Sequence, residues 1–211
     1  MGTSKDPPKD TRLNNQVFAA DSIDSYFEGY QAALRQALAS VDRSQLTKAY
    51  ALIKTAALEH RYVLVAGNGG SAAISDHLCC DWMKGTSHDA HKHLKVVSLV
   101  SNASLVTALA NDFGYECVFA SQVEMLGAPG DVLVLISSSG KSANILAALE
   151  TARKIGMATI GMTGFEGGGL RSGADVSLHV AVANYGVIED AHQILMHNLA
   201  QFLASERARG T

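Results

Sequence analysis

The chain has 211 residues, a formal net charge of −3, 47% hydrophobic and 18% charged residues, 19 Gly and only 3 Pro. That length suits one domain and the apolar fraction excludes a disordered chain. A charge this near zero argues against a nucleic-acid partner, which calls for a basic face. The 3 Cys make no disulfide framework, and the odd count points to a reducing, cytoplasmic setting.

Residues 1–17 begin MGTSKDPPKDTRLNN, polar and without the apolar core of a signal peptide. Asp6 stands where a myristoylation signal needs Ser or Thr, and Pro7 and Pro8 in polar company predict a disordered tail. No run approaches the ~18 apolar residues of a membrane span, so no membrane association is expected. Residues 22–41 carry Ile23, Tyr26, Phe27, Tyr30, Ala33 and Leu34 at helical spacing, and residues 44–59 repeat the pattern with Leu46, Tyr50, Leu52 and Ile53. Asp42 or Ser44 suits the start of the second helix. The two form a helical hairpin, packed on the core or reserved for a subunit contact.

Beyond it the rhythm changes. Residues 62–66, 95–100, 132–136, 158–162 and 176–182 read as strands, and residues 72–84, 104–110, 118–126, 142–155 and about 187–205 as helices. A short turn falls near Leu170, and the charged end from 205 is expected to fray. Alternating β and α segments predict an open parallel sheet with helices on both faces, a Rossmann- or flavodoxin-like α/β fold. Ligands of such sheets bind beyond the carboxyl ends of the strands.

Two loops there are suited to anions. Gly67-Asn68-Gly69-Gly70-Ser71 lets backbone amides approach a ligand just ahead of a helix N-terminus. With Ala72 it also fits a loose dinucleotide fingerprint, but the second strand ends Val100-Ser101-Asn102, without the acid that holds ribose, so no nucleotide cofactor is expected. Ser137-Ser138-Ser139-Gly140-Lys141-Ser142 gathers hydroxyls at another helix start and suits a terminal phosphate. Leu135 occupies the first-glycine position of a P-loop, so the loop is not one.

Of 8 His, two sit in informative patterns. His77 and Asp81 are four apart, and Glu189, Gln193 and His197 form a ridge along the last helix. Two helices, each offering imidazole and carboxylate, suit zinc or another divalent transition metal, or an acid–base pair. His88, His91 and His93 fall in a polar connection, His60 ends a helix and His179 sits in a strand. His192 is near the ridge and is read as a supporting group. Cys79, Cys80 and Cys117 read as buried thiols.

GNGGS at the first loop, ANDFGYE at 110–116, GDVLVLISSSGKSANI at 130–145 and GMTGFEGG at 161–168 resemble the SIS (sugar isomerase) domain, and within it are similar to the phosphoheptose isomerases. The resemblance implies a single SIS domain over residues 18–208 with a five-stranded parallel sheet, in homotetramers with active sites at subunit contacts. It implies a phosphosugar substrate, sedoheptulose 7-phosphate, isomerised toward nucleotide-activated heptose for surface polysaccharide. Substrate contacts then fall on Asn68, Gly69, Gly70, Ser71, Asn102, Asp112, Ser137, Ser138, Ser139, Ser142 and Glu189. Asp81 and His197 fall on catalytic positions, and His77, Asp81, Glu189 and His197 on a metal set. Three positions depart from the family pattern: Asp81 replaces a glutamate, Glu189 a glutamine and Asn102 an aspartate. Rival readings are a non-catalytic sugar-phosphate sensor and a module that binds the replication initiator.

Overall fold

The computed structural model describes residues 18–87 and 93–209. The expected tail over 1–17, together with His88 and His91, lies outside the described residues.

Five strands, β1 (Tyr62–Gly67), β2 (Lys95–Ser98), β3 (Val132–Ile136), β4 (Ala158–Thr163) and β5 (Val176–His179), form one sheet in the order β2-β1-β3-β4-β5. Every pairing is parallel, with Val63 opposite both Val96 and Val132. The near-continuous apolar runs follow from this, because successive side chains enter opposite cores. Val63, Val65, Val132, Val134 and Ile136 point into one core, Leu64, Ala66, Leu133 and Leu135 into the other.

The first core is covered by α1 (Ile23–Ala39), α2 (Arg43–Leu58), α3 (Gly70–Lys84) and α8 (Tyr185–Ala208). The second is covered by α4 (Ala103–Phe113), α5 (Val118–Leu126), α6 (Ala143–Ile155) and α7 (Gly168–Gly173), with a 3-10 turn at Tyr115–Cys117 that the periodicity does not reveal.

The helical hairpin packs on its own chain. Asp42 caps α2 by accepting from Ser44 N at 2.8 Å, and Ala49, Ile53, Ala56 and Ala57 are buried. Tyr30 donates to Asp190 at 2.7 Å and Tyr50 to Glu206 at 2.6 Å, tying both helices to α8. Yet α1 buries only Ala37 and leaves Ile23 and Phe27 exposed. The edge strands β2 and β5 stop short of their apolar runs, since each has one neighbour and the chain turns away. Helix α8 continues through 205–208, where fraying was expected, and Asn184 caps its start by accepting from Val187 N at 3.0 Å. No helix among the described residues is long and apolar enough to cross a membrane.

Strand order reverses between β1 and β3, so the loops after these strands face each other across the crevice where open α/β sheets bind ligands.

Candidate functional site

The serine loop after β3 holds its shape through the main chain. Ser137 N donates to Met162 O at 3.0 Å, Gly164 N to Ser138 O at 2.8 Å, and Leu170 N to Gly140 O at 3.1 Å. Gly140 has φ +64, and a Cβ there would overlap the Gly167 carbonyl oxygen, so only glycine fits. Ser142 occupies the N-cap of α6 but makes no side-chain cap bond; its hydroxyl lies 3.3 Å from that of Ser137. Ser137 Oγ accepts from Gly140 N at 3.2 Å and Ser139 Oγ from Lys141 N at 3.3 Å, and the four serines line a cavity of about 150 Å³ together with Asn68, Ser71, Ile136, Tyr185 and Glu189. The starts of α3 and α6 flank it, two helix ends that favour an anion.

Asn68 is clamped at the wall. Its Nδ2 donates to Asn144 Oδ1 at 2.9 Å, while Asn144 Nδ2 and the Tyr115 hydroxyl donate to its Oδ1 at 3.0 and 2.8 Å. Glu189 lays its carboxylate against Gly70, where a Cβ would overlap it. Burial first, and Asp190 second, raise the Glu189 pKa.

A second group lies further along α3 and α8. His197 Nε2 is 2.9 Å and His77 Nε2 3.5 Å from Asp81 Oδ2, and the two imidazoles meet edge to face with centroids 5.0 Å apart. Gln193 Nε2 contacts His77 Nδ1. One ligand atom from each of His77, Asp81 and His197 lies within 4.8 Å of the others. A tetrahedral ion with bonds of about 2.05 Å separates its ligands by roughly 3.3 Å, near the 2.9 and 3.5 Å edges, so these three residues could hold a metal ion.

Within one chain Glu189, expected in the ligand set, is not brought to this group. It is two helical turns from His197, about 12 Å along the axis, and belongs to the serine cavity. Asn102 and Asp112, expected at the substrate, do not line that cavity. Asn102 caps α4, its Oδ1 accepting from Leu105 N at 3.0 Å, and Asp112 accepts from Asn111 at 2.8 Å on an exposed surface. The carboxylate at the end of β2 comes from Asp76 of α3, which accepts from Ser98 and Ser101 at 2.6 and 2.5 Å. Gly69 opens α3 with φ +56.

His192 does not support the ridge. It is fully buried in the core, with Nε2 3.2 Å from Thr163 O and Nδ1 without a partner among the described residues. Cys80 is exposed rather than buried, because adjacent helix positions face different ways, whereas Cys79 packs on the core. Tyr185, Asn144 and Tyr115 were not anticipated. Tyr185 was within reach, lying four residues before Glu189 on the same ridge; the Asn68 clamp joins distant segments and leaves no local pattern.

Residues 25–164 match the SIS domain family. The phosphoheptose isomerase of Helicobacter pylori (strain P12) is 38% identical over 180 residues, covering 85% of this chain and 92% of that protein. That of a Synechocystis species is 41% identical over 143 residues, covering 68% of this chain and 73% of that protein. The solved phosphoheptose isomerase of Neisseria gonorrhoeae superposes with a TM-score of 0.79 at 31% identity, covering 87% of this chain and 97% of that one.

Proposed function

Because the chain belongs to the SIS domain family, among the phosphoheptose isomerases, we propose that it is an aldose–ketose isomerase converting sedoheptulose 7-phosphate to D-glycero-D-manno-heptose 7-phosphate. Residues 18–208 then form one SIS domain. The enzyme works in the cytoplasm, and its product feeds nucleotide-activated heptose for surface polysaccharide. The observation that carries the reading is the serine cavity at the strand-order reversal, with four serines and two helix ends around one volume.

Isomerisation moves a proton from C1 to C2 through an enediol, while the oxygen-bound proton passes from O1 to O2. The serine loop holds the remote phosphate and thereby fixes the open-chain sugar. Without a metal, His197 takes the carbon-bound proton at Nδ1 and returns it to the neighbouring carbon, while Asp81, 2.9 Å from Nε2, accepts from that nitrogen, orients the ring and stabilises the imidazolium. The same His77, Asp81 and His197 would alternatively hold a divalent metal, zinc by the donor set, which when bound would supply Lewis-acid polarisation of sugar oxygens in place of the imidazole's role as base.

The serine cavity and this trio stand about two helical turns apart, roughly 12 Å, in one chain. That gap supports a homotetramer whose active sites combine the serine cavity of one subunit with the trio of another. The exposed Ile23 and Phe27 of α1 and Phe202 of α8 offer apolar surface for such contacts.

The test is incubation with sedoheptulose 7-phosphate, with and without a chelator, followed by product analysis. His197→Ala should still bind the phosphosugar but turn it over at least ~100-fold more slowly, the scale of a lost general base. Undiminished turnover refutes the assignment of His197. Tight binding with no conversion by the unmodified chain refutes the isomerase reading.

A further inference from the structure

We propose that Gln193 is a positioning residue for His77, a reversible amide that decides which ring nitrogen is left to bind a divalent cation. The proposal rests on the metal part of the reading above and adds a residue to it.

Four side chains form a rectangle across α3 and α8. His77 and Asp81 are one turn apart on α3, and Gln193 and His197 one turn apart on α8. At one level Gln193 contacts His77 Nδ1; at the next His197 meets Asp81 at 2.9 Å. Trp82 Nε1 donates to Met196 O at 3.1 Å beside them and fixes the spacing of the two helices. His77 is thus held on its Nδ1 side by Gln193 and presents Nε2 to Asp81, 3.5 Å away.

A neutral imidazole carries one proton, and its partner at Nδ1 determines where that proton sits. When the amide N–H of Gln193 faces Nδ1, the proton is on Nε2, directed at Asp81, and His77 has no lone pair for a cation. When the amide C=O faces Nδ1, the proton is on Nδ1 and the Nε2 lone pair opens toward Asp81 and His197. A half-turn of the amide about its last bond interconverts the two states with no other change of shape. Carboxylate in place of amide only accepts, and so holds the ligating state alone. An aliphatic side chain holds neither.

The experiment compares the unmodified chain with Gln193→Leu and Gln193→Glu. Zinc affinity is measured by competition with a chelator, and the ring nitrogens of His77 are followed by 15N NMR in the metal-free protein. Gln193→Leu should weaken zinc 10–100-fold, the usual effect of removing the group that orients a ligating histidine, and should shift the His77 tautomer ratio toward the Nε2–H form that Asp81 alone favours. Gln193→Glu should tighten zinc and move His77 to the Nδ1–H form. Because Gln193 is only partly buried, both proteins should fold; if the leucine variant does not, the glutamate variant decides. Unchanged zinc affinity together with an unchanged His77 signal in the leucine variant overturns the proposal. If the unmodified chain binds no zinc, the metal assignment falls, and with it the cation-selecting role of Gln193. Conversion of sedoheptulose 7-phosphate is assayed separately, so that failure of the isomerase reading is seen independently.

Discussion

Gly140→Ala places a methyl group where the backbone of a neighbouring loop already sits. Gly140 adopts φ +64, and its missing Cβ points into the carbonyl oxygen of Gly167, which is held in place by the first turn of α7. A left-handed backbone costs an alanine about 1–2 kcal/mol. Parting the two loops also breaks the bonds from Leu170 N to Gly140 O, 3.1 Å, and from Gly164 N to Ser138 O, 2.8 Å, at about 1 kcal/mol each. The sum is about 3–4 kcal/mol, which lowers Tm by roughly 10 °C in a domain of this size. Gly156→Ala is the matched control. That residue is also left-handed, at φ +88 and ψ +29, but a Cβ there would meet only Pro129 Cβ at 3.8 Å. Its cost should be the backbone strain alone, about 1–2 kcal/mol. Urea unfolding measures both, and phosphosugar binding should weaken in the Gly140 variant only. Equal losses in the two variants, with equal binding, would show that the serine loop is not held by its backbone contact with the Gly167 loop.

Two further outcomes follow from burial. His192 has its pKa pushed down from 6.5 to about 4 by desolvation, so below pH 6.5 the unfolded chain takes up a proton that the folded chain refuses. Its contribution is full above that pH and declines as the pH falls toward 4, by roughly 3 kcal/mol. His192→Gln keeps a donor for Thr163 O and should flatten that part of the acid slope in urea unfolding; parallel slopes would refute it. Burial also pushes the Cys79 thiol up to about 12, leaving about one molecule in ten thousand as thiolate at pH 8, so alkylation of the native protein should label the exposed Cys80 and spare Cys79. Peptide mass spectrometry showing equal labelling of both would contradict the burial assigned to Cys79.

The fold was legible because its signals are local. Runs such as 132–136 are apolar on both faces only when a strand is covered on both sides, and the glycine and serine loops stand at the strand ends where an α/β sheet binds. The two helix pairs were legible from four-residue spacing alone. The eight-residue spacing already put Glu189 about 12 Å from His197 along the ridge; what it did not reveal was that Glu189 lines the serine cavity. Asn102 was expected at the substrate, and its further role in capping α4 shows only once Leu105 N is seen within reach. The Tyr115–Asn68–Asn144 clamp joins segments distant in sequence, for which a single chain of letters carries no pattern.

The serine loop has one more consequence. Its course is set mainly by amide-to-carbonyl bonds from the neighbouring segments around Met162, Gly164 and Leu170, so most of the shape survives exchange of a hydroxyl. Ser138 and Ser142 in particular support neither the turn nor the start of α6 through a side-chain bond to the backbone. Single replacements at these two positions can therefore retune which headgroup is recognised without first being compensated elsewhere. Descendants of such a chain could diverge in substrate through neutral steps, with selection acting on ligand preference while the scaffold stays constant.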